Sequence, residues 1–320
     1  MRGRLHIIAL IVAVVWTYPG RAIPITVCSF NIQFLGSSKQ RDDDGLADLL
    51  KNYDIVVVQE LIAPPYAGKF PNGEPYVPDP EARHFFECMK QKGFTNRLSE
   101  EDTGPGLKIH LNSTATEWWV AFYKADHVKI ATDLPSGFLS KTLAHNQDFD
   151  RVPYAFGFRT MDGSLEFVLI SVHLEPGFGK ANKQRRKHEL ATIASWIAAH
   201  DQPKKDFIVV GDMNIANLAE LTNAIPVSFL SLNVKCLPTN TNVNDPRPYD
   251  HVMCQAAFNK DKYDAQFGFH IENLIDAMRE PWNHISTKKY PGGPPYTHNQ
   301  FRKYYSDHHP VAFRIISPYD

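Results

Sequence analysis

Eight short apolar runs, rich in Val, Ile and Phe, constrain the fold of this 320-residue chain more than any other feature. The runs are ITVCSFNI, DIVVVQE, WWVAFYK, YAFGFRT, EFVLISVHL, DFIVVGDMN, YDHVMC and PVAFRII. Their length and composition indicate β-strands, several of them covered on both faces. Because helical patterns lie between some of the runs, the sequence predicts a layered architecture of mixed α and β structure.

Three segments show the helical patterns. In KANKQRRKHELATIASWIAAH, the residues Leu190, Ile193 and Ile197 fall on one face of an amphipathic helix. Shorter helices are predicted from about Asp42 to Asn52, where three aspartates suit a helix N-terminus, and from about Pro80 to Lys92.

Two long segments, 62–79 and 281–304, are rich in Pro, Gly, Tyr and Lys and show no clear period. They are predicted to be long loops, which are usually functional or mobile. The chain has no repeat of solenoid length and no Gly/Ser-rich linker. We therefore predict one domain, from Ile23 to Asp320.

The N-terminal segment 1–22 has the layout of a secretory signal peptide. Two arginines precede an apolar run from Ile7 to Trp16, and Gly20-Arg21-Ala22 forms a small-x-small cleavage site. The apolar run is too short for a stable membrane anchor, although an uncleaved anchor is the alternative. We expect cleavage after Ala22, secretion (or export to a periplasm in a bacterium), and no stable membrane association afterwards.

The charge balance bears on the class of function. The chain is 43% hydrophobic and 22% charged, as in a soluble globular protein. Cleavage after residue 22 removes three arginines and no acidic residue, which leaves 31 basic against 35 acidic residues. A protein that packages nucleic acid is normally strongly basic, whereas an enzyme that releases a polyanionic product need not be. The balance therefore favours turnover over storage.

The four cysteines follow no zinc-binding spacing, and an exported chain meets an oxidising compartment. The segment KCLPTNTNVNDPRPYDHVMC reads as two strands joined by a loop rich in Pro, Asn and Asp. We therefore predict a disulfide between Cys236 and Cys254. Cys28, on a central strand, is predicted to be a buried thiol.

Polar residues stand at the ends of the apolar runs, where a buried strand interior would not tolerate them. If the strands lie side by side, these residues gather at one rim of a sheet. Alternation along a strand places Asp212 and Asn214 on the same face. The residues at the rim are Asn31, Glu60, His173, Asp212, Asn214, Asp250, Asp307 and His308.

This set of side chains favours metal-assisted phosphodiester hydrolysis. Carboxylate and amide oxygens are the ligands that Mg²⁺ and Ca²⁺ prefer, whereas a zinc site wants nitrogen and sulfur ligands. Hydrolysis also needs a base to activate water and an acid to protonate the leaving oxygen. Two histidines, each oriented by its own carboxylate, would supply that pair.

The ordered motifs SFNIQFL, VVQE, SVHLEP, GDMN, YDHV and YSDHHPV closely resemble those of the endonuclease/exonuclease/phosphatase superfamily, whose fold is that of deoxyribonuclease I. The resemblance covers essentially the whole chain after residue 22 and is closest to the secreted deoxyribonucleases. It implies a four-layer sandwich of two mostly antiparallel β-sheets flanked by helices, with the site at the sheet ends. It also implies Mg²⁺ as cofactor, with Ca²⁺ or Mn²⁺ as alternatives.

The resemblance also suggests roles for individual residues. Glu60, with Asn31 nearby, resembles the family's metal site, to which we assign Asp307 as well. Asp212, Asn214 and Asp307 are expected to flank the reacting phosphate. The histidine that pairs with Asp250 is His308, and His173 is its counterpart.

Two further segments are similar to secreted deoxyribonucleases. DFDRVPYAFGFR places Arg151 two residues before a proline, where the relatives contact a phosphate, and TEWWVAFYK places Glu117 beside His173. Those relatives carry a tyrosine two residues before this glutamate that reads the minor groove, and this chain has Ala115. The difference argues against the same manner of groove reading.

Two basic segments are candidates for contact with nucleic acid. KKYPGGPPYTHNQFRKYY interleaves lysine and arginine with tyrosine, a mixture that suits phosphate contacts and base stacking. The run KANKQRRKHE follows soon after His173. Either segment can also be an ordinary solvated face.

The function predicted from these observations is that of a secreted, monomeric, divalent-metal-dependent endonuclease. Its expected substrate is DNA, with RNA as an alternative, and water would attack the phosphorus in line. His308 with Asp250 is assigned to the base side, and His173 with Glu117 to the acid side. The other hypotheses are a phosphodiesterase for a lipid head group such as sphingomyelin, and a non-catalytic secreted protein that binds nucleic acid.

Overall fold

Two β-sheets face each other at the centre of the molecule. The computed structural model describes residues 24–37, 40–200, 206–256, 258 and 262–317, so the predicted signal peptide lies outside the described residues. Strands and helices are numbered here in chain order. The first sheet has the order β14-β15-β1-β2-β6-β5. Its strands are β1 (Ile25–Leu35), β2 (Ile55–Leu61), β5 (Thr95–Leu98), β6 (Trp118–Tyr123), β14 (His270–Ile271) and β15 (Val311–Ile315).

The second sheet has the order β12-β13-β11-β10-β9-β7, and β8 pairs with β9 beside this path. A separate two-stranded hairpin consists of β3 (Gly68–Lys69) and β4 (Pro75–Tyr76). The strands of the second sheet are β7 (Val128–Ile130), β8 (Gly137–Phe138), β9 (Tyr154–Thr160), β10 (Glu166–His173), β11 (Asp206–Asp212), β12 (Phe229–Ser231) and β13 (Asp250–Gln255).

Each large sheet is antiparallel except for one parallel pair at its centre. These pairs are β1 with β2, and β10 with β11. Strands β1 and β2 pack against β10 and β11 across the sandwich. Because neighbouring parallel strands end at the same edge of a sheet, the ends of the four central strands meet at one rim.

Helices cover the outer faces of both sheets, which completes the predicted four layers. Separate apolar cores lie under the helices of each sheet, and a third core lies between the sheets. The helices are α1 (Asp43–Leu50), α2 (Pro80–Gln91), α3 (Lys180–His200), α4 (Leu218–Ala224), α5 (Leu274–Ala277), α6 (Arg279–Ile285) and α7 (His298–Tyr304).

The three predicted helices are confirmed, with the start of each shorter one fixed by an aspartate. Asp42 accepts a hydrogen bond from the Gly45 amide before α1, and Asp79 caps α2 ahead of Pro80. On α3 the predicted face, Leu190, Ile193 and Ile197, is buried. Burial of these side chains holds α3 against the second sheet.

A short chain of polar side chains crosses the core between the sheets. The hydroxyl of Ser29 on β1 donates to Gln59 Oε1 on β2 at 3.3 Å. Gln59 Nε2 donates in turn to the hydroxyl of Ser171 on β10 at 3.1 Å. The chain therefore links the first sheet to the second through hydrogen bonds that are buried on all sides.

The prediction of two structureless loops is partly wrong. Residues 62–79 contain the hairpin of β3 and β4, and residues 281–304 contain most of α6 and α7. Tyr290 and Tyr305 from this region lie in the core under the first sheet, so they are unavailable for base stacking. Their hydroxyls contact backbone carbonyls, those of Ile275 and Met278 respectively.

The predicted disulfide between Cys236 and Cys254 is also wrong. All four cysteines, which lie within the described ranges, are free thiols in the structure. Cys254 points into the core between the sheets, whereas Cys236 packs on the helical side of the second sheet. The strand partners of Cys254 are Ile208 and Leu230, so the two cysteines do not face each other across a ladder.

Within the part of the chain that the structure describes, no helix combines the length and apolar character that crossing a membrane requires.

Candidate active site

The rim where the central strands end brings together the polar residues singled out in the sequence. Asn31 lies near the end of β1 and Glu60 near that of β2, while His173 and Asp212 are the last residues of β10 and β11. Asp250 begins β13, which runs antiparallel to β11 and is paired with it at Asp212. Both sheets therefore contribute to one site.

Asp212 occupies the centre of this site. Its Oδ2 atom lies 3.6 Å from His173 Nε2 and 3.5 Å from His308 Nε2. The same oxygen accepts a hydrogen bond from Asn31 Nδ2 at 3.1 Å, and Oδ1 accepts one from the Asn214 amide at 2.9 Å. The two imidazoles thus approach a single carboxylate oxygen from two sides.

His173 is oriented by Glu117, which begins the approach to β6. The Nδ1 atom of His173 lies 2.9 Å from Glu117 Oε2. The same oxygen lies 3.3 Å from Arg151 Nε. Glu117 Oε1 accepts a hydrogen bond from the Glu60 amide at 2.9 Å. Burial and the Arg151 charge lower the pKa of His173, but the carboxylates of Glu117 and Asp212 outweigh them and raise it above its usual value.

His308 is oriented by Asp250 in the corresponding way. Its Nδ1 lies 2.8 Å from Asp250 Oδ2, and its amide donates to the Ser306 hydroxyl at 3.0 Å. Among the described residues, the buried Asp250 Oδ1 atom has no hydrogen-bond partner. Burial lowers the pKa of His308, but the Asp250 and Asp212 carboxylates overcome this effect and raise the pKa well above its usual value.

The site also carries oxygen ligands, from two further carboxylates. Glu60 accepts hydrogen bonds from Asn31 Nδ2 at 3.0 Å and from the Phe34 amide at 3.0 Å. Asp307 Oδ2 accepts one from Gln33 Nε2 at 2.9 Å, and within the described ranges its buried Oδ1 has no hydrogen-bond partner. Burial and the nearby Asp307 charge raise the pKa of Glu60.

These observations fit a hard divalent cation. Glu60 and Asp307 carry like charges in one partly buried place, and Asp307 has an oxygen left over for a ligand. A cation of two positive charges would relieve the repulsion, and oxygen donors are what Mg²⁺, Ca²⁺ and Mn²⁺ prefer. The residues that would hold it are Glu60 and Asp307, with Asn31 beside them.

Residues 28–308 of the chain match the model of the Endonuclease/Exonuclease/phosphatase family. The chain belongs to this family. Its members are metal-dependent phosphoesterases and nucleases, so the resemblance read from the sequence is confirmed at this level.

Solved structures share the fold at low sequence identity. A family protein from Bacteroides thetaiotaomicron is 18% identical, with a TM-score of 0.53 over 92% of this chain and 98% of that one. A mannosyl-6-phosphatase from the same bacterium is 18% identical, with a TM-score of 0.53 over 91% and 99% of the two chains. The human nocturnin catalytic domain, with bound sulfate, is 14% identical, with a TM-score of 0.53 over 92% and 94%. Among curated proteins, no match was found.

Two of the predicted residues of this family member are engaged in protein contacts. Asn214 has a left-handed backbone with φ 51°, and its Nδ2 donates to the Leu174 carbonyl at 3.0 Å. Arg151 is 8% exposed and pairs with both Asp150, at 2.8 Å, and Glu117. Arg151 therefore lies behind the His173 pair as its counter-charge, and a phosphate contact by Arg151 stays a prediction.

The basic run after His173, KANKQRRKHE, is not a uniformly solvated face, because one of its arginines is buried. Arg186 is fully buried, where its Nε donates to Glu220 Oε1 at 2.8 Å. Its Nη1 donates to the carbonyls of Glu175 and Gly177 at 2.7 and 2.8 Å. Arg186 thus fixes the loop that follows His173 and is not a candidate for substrate contact.

Sequence reasoning gave no role to Gln33 and Tyr249, which the structure places in the site. Gln33 holds Asp307, and the Tyr249 ring lies 5.9 Å from the His308 ring between centroids. Both lie inside motifs of the site: Gln33 is two residues after Asn31 in SFNIQFL, and Tyr249 directly precedes Asp250 in YDHV. Closeness in the sequence to a predicted site residue is the signal that could have found them.

A cleft of about 500 Å³ opens beside Asp307. Its lining includes Gln33, Arg302 and Lys303, and Arg302 Nη1 lies 3.6 Å from Asp307 Oδ2. Lys288 and Lys289 are exposed in the segment before α7. Arg302 and Lys303 therefore place positive charge beside Asp307.

Proposed function

We propose that this protein is a divalent-metal-dependent phosphodiesterase that hydrolyses DNA. The observation that carries the proposal is the convergence of two carboxylate-oriented histidines on Asp212, with their Nε2 atoms at 3.6 and 3.5 Å from one oxygen. Such an arrangement offers a proton acceptor and a proton donor to the same phosphate, as phosphodiester hydrolysis requires. The family membership supports phosphoester cleavage in general.

In this mechanism the protein positions the reactants and moves two protons. A bound Mg²⁺ would supply Lewis-acid polarisation of a phosphoryl oxygen and stabilise the charge that develops there. Asn31, Glu60 and Asp307 would hold the ion, and Asn214 would orient the phosphate. One imidazole accepts a proton from the attacking water, and the other donates a proton to the leaving oxygen through its Nε2 atom.

For the division of these roles, we propose the reverse of the assignment made from the sequence. The Glu117 carboxylate divides its charge between His173 and the Arg151 guanidinium, whereas Asp250 faces His308 with no cation among the described residues at its side chain. A proton is therefore held more firmly on His308. His308 would act as the acid and His173 as the base.

A polynucleotide suits the surroundings better than a small phosphate ester. The cleft that contains Arg302 and Lys303 continues from Asp307, so a second phosphate of the same strand would meet positive charge. Export and a monomeric state remain proposals that rest on the sequence alone, the former on residues 1–22.

The test is a substrate panel with purified protein. Plasmid DNA, RNA, sphingomyelin and mannose 6-phosphate are each incubated with Mg²⁺, Ca²⁺ or Mn²⁺, and with a chelator. We expect DNA to be cleaved with a divalent metal and to stay intact with the chelator. Consumption of sphingomyelin alone or of mannose 6-phosphate alone would overturn the DNA assignment, and binding of DNA without cleavage of any substrate would overturn the enzymatic one.

A further inference from the structure

We propose a second metal site, specific for zinc, formed by Asp44, His84 and Cys88 where α1 and α2 pack together over the first sheet. Asp44 lies in the first turn of α1, and the other two residues lie on α2. The site is separate from the residues that surround Asp212, and the inference does not depend on the proposed function.

The ligand atoms of the three residues are already gathered. His84 and Cys88 are four residues apart on α2, which places them on the same face one turn apart. Cys88 Sγ lies 3.8 Å from His84 Nε2, and the ligand atoms of all three residues lie within 4.8 Å of one another. Sulfur and nitrogen ligands of a tetrahedral zinc are about 3.5 Å apart, given the usual bond lengths.

A neighbouring carboxylate supplies an independent indication. Asp43 is 3% exposed, and its Oδ2 atom lies 2.8 Å from His84 Nδ1. With that nitrogen engaged, Nε2 is the atom left for a metal, an arrangement that recurs at protein zinc sites. The other carboxylate oxygen, Asp43 Oδ1, is buried and has no hydrogen-bond partner among the described residues.

The local charge also favours a cation. Asp42, Asp43 and Asp44 are consecutive, and Asp43 and Asp44 occupy the first turn of α1. Glu87 lies on α2 between the two proposed ligands and adds negative charge near His84. Arg83, next to His84 on α2, donates to the Pro65 carbonyl at 3.2 Å and lies over the Tyr66 ring. Lys92, just after α2, is paired with Asp48 at 2.9 Å.

The donor set decides which cation is expected. A thiolate, an imidazole and a carboxylate suit zinc, whereas Mg²⁺ and Ca²⁺ prefer oxygen ligands such as those of Glu60 and Asp307. Asp44 and His84 are exposed while Cys88 is buried beneath them, so an ion would enter from solvent. Three protein ligands leave the fourth tetrahedral position to water.

Such a site would join α1 to α2. Arg41, just before α1, donates to the Tyr305 carbonyl at 2.6 Å and to the carbonyls of Ile32 and Gln33. It also pairs with Glu81 at the start of α2. Zinc would therefore tighten a pair of helices whose N-terminal ends support the end of β1, which carries Gln33.

The experiment uses Co²⁺ as a spectroscopic probe on the purified, metal-free protein. Thiolate ligation gives a charge-transfer band in the near ultraviolet, and the residues around Asp212 include no cysteine that would produce it. We expect one thiolate-to-cobalt band per chain, displaced by Zn²⁺. The band should be absent in Cys88→Ser, and binding should weaken at least tenfold in His84→Gln, because a ligand is lost.

The matched control is Cys236→Ser, which removes a thiol elsewhere and should leave the band unchanged. Because Cys88 is buried, melting curves accompany each variant, and the exposed His84 position provides a second test if Cys88→Ser does not fold. Absence of the band in the unaltered protein, or its persistence in folded Cys88→Ser or unweakened in His84→Gln, would overturn the proposal. None of these readouts uses catalytic activity.

Discussion

The two histidine–carboxylate pairs of the site have nearly the same geometry and different surroundings. In each pair a carboxylate lies within 2.9 Å of Nδ1, and Nε2 faces Asp212 Oδ2. The Glu117 carboxylate is shared by His173, the Arg151 guanidinium and the Glu60 amide. The Asp250 carboxylate serves His308 through one oxygen and leaves the other without a partner in the described structure.

Because their surroundings differ, the two pairs are expected to have different roles although their distances are nearly equal. The His173 pair is part of a network that also fixes Glu60, so in the proposed mechanism it would combine proton transfer with support of a metal ligand. The His308 pair is simpler, and its unshared charge favours the protonated imidazole. Symmetric geometry therefore does not imply equal roles, because the neighbours of each carboxylate determine the proton affinity of the histidine it holds.

The largest expected effect comes from removing the histidines themselves. His173→Ala and His308→Ala should each lower kcat on DNA by about 10² to 10⁴, the usual contribution of acid–base help. The double variant should be little worse than the poorer single one, because the two residues act as a unit. Steady-state kinetics on plasmid DNA measure this, with the exposed His188→Gln as control. A double variant whose loss equals the product of the two single losses would show that the pairs work independently.

Replacing the two carboxylates that orient the histidines should have different effects on activity and on stability. Glu117→Gln leaves the buried Arg151 without one partner, and breaking a buried pair costs about 3 to 5 kcal/mol. In Asp250→Asn the unpaired imidazole of His308 can release its proton, which a guanidinium cannot, so the main effect should be on kcat. Chemical denaturation and kinetics on both variants test the contrast. Equal losses of unfolding free energy would contradict the difference drawn between the two pairs.

A smaller effect, on the pH dependence of stability, is expected at Glu189 on α3. Its carboxylate accepts hydrogen bonds from the Asp150 amide at 2.8 Å and from the Glu175 amide at 3.0 Å. Burial raises the pKa of Glu189 from 4.5 to about 7. Its contribution to stability is then fully present below the unfolded pKa and is lost as pH rises through about 7.

Relative to Glu189→Gln, the protein should therefore lose roughly 3 kcal/mol of unfolding free energy between the unfolded and folded pKa values, at about 1.4 kcal/mol per pKa unit. Urea denaturation of both proteins across this pH range provides the measurement. Parallel pH profiles for the two proteins would show that Glu189 does not carry this dependence.

The smallest effect per residue concerns the basic residues on α7 and in the segment before it. Replacing Lys288, Lys289, Arg302 and Lys303 by alanine should weaken DNA binding of every sequence and lower its salt dependence by about one unit of slope per lost phosphate contact. The rate at saturating DNA should largely survive. Binding curves at several salt concentrations test this, and an unchanged slope would exclude these residues from the substrate path.

Much of the fold and the rim could be predicted because polar residues at the ends of apolar strands are costly unless they share a site. Asn31, Glu60, His173, Asp212, Asp250 and His308 each carry that mark in the sequence, and the structure brings them together. Strand direction then determines which ends meet, and the motif order supplied the direction.

The remainder depends on how elements pack, which a linear pattern does not show. Cys236 and Cys254 were paired by their separation in sequence, but they lie on opposite faces of one sheet. Tyr290 and Tyr305 resemble surface stacking residues until the core that encloses them is known. Likewise, the approach of Asp44 to His84 and Cys88 depends on the rotation of two helices about their axes.

The buried chain of Ser29, Gln59 and Ser171 has a consequence for how the two halves of the site stay aligned. Apolar contacts between the sheets are non-directional, so they would tolerate a small sliding of one sheet over the other. Hydrogen bonds weaken steeply with misalignment. These hydrogen bonds therefore fix the position of one sheet relative to the other. The oxygen ligands at the ends of β1 and β2 and the histidine at the end of β10 are thereby kept in register with each other. The geometry of the candidate site at the rim is in this sense specified by three uncharged side chains buried deep inside the sandwich.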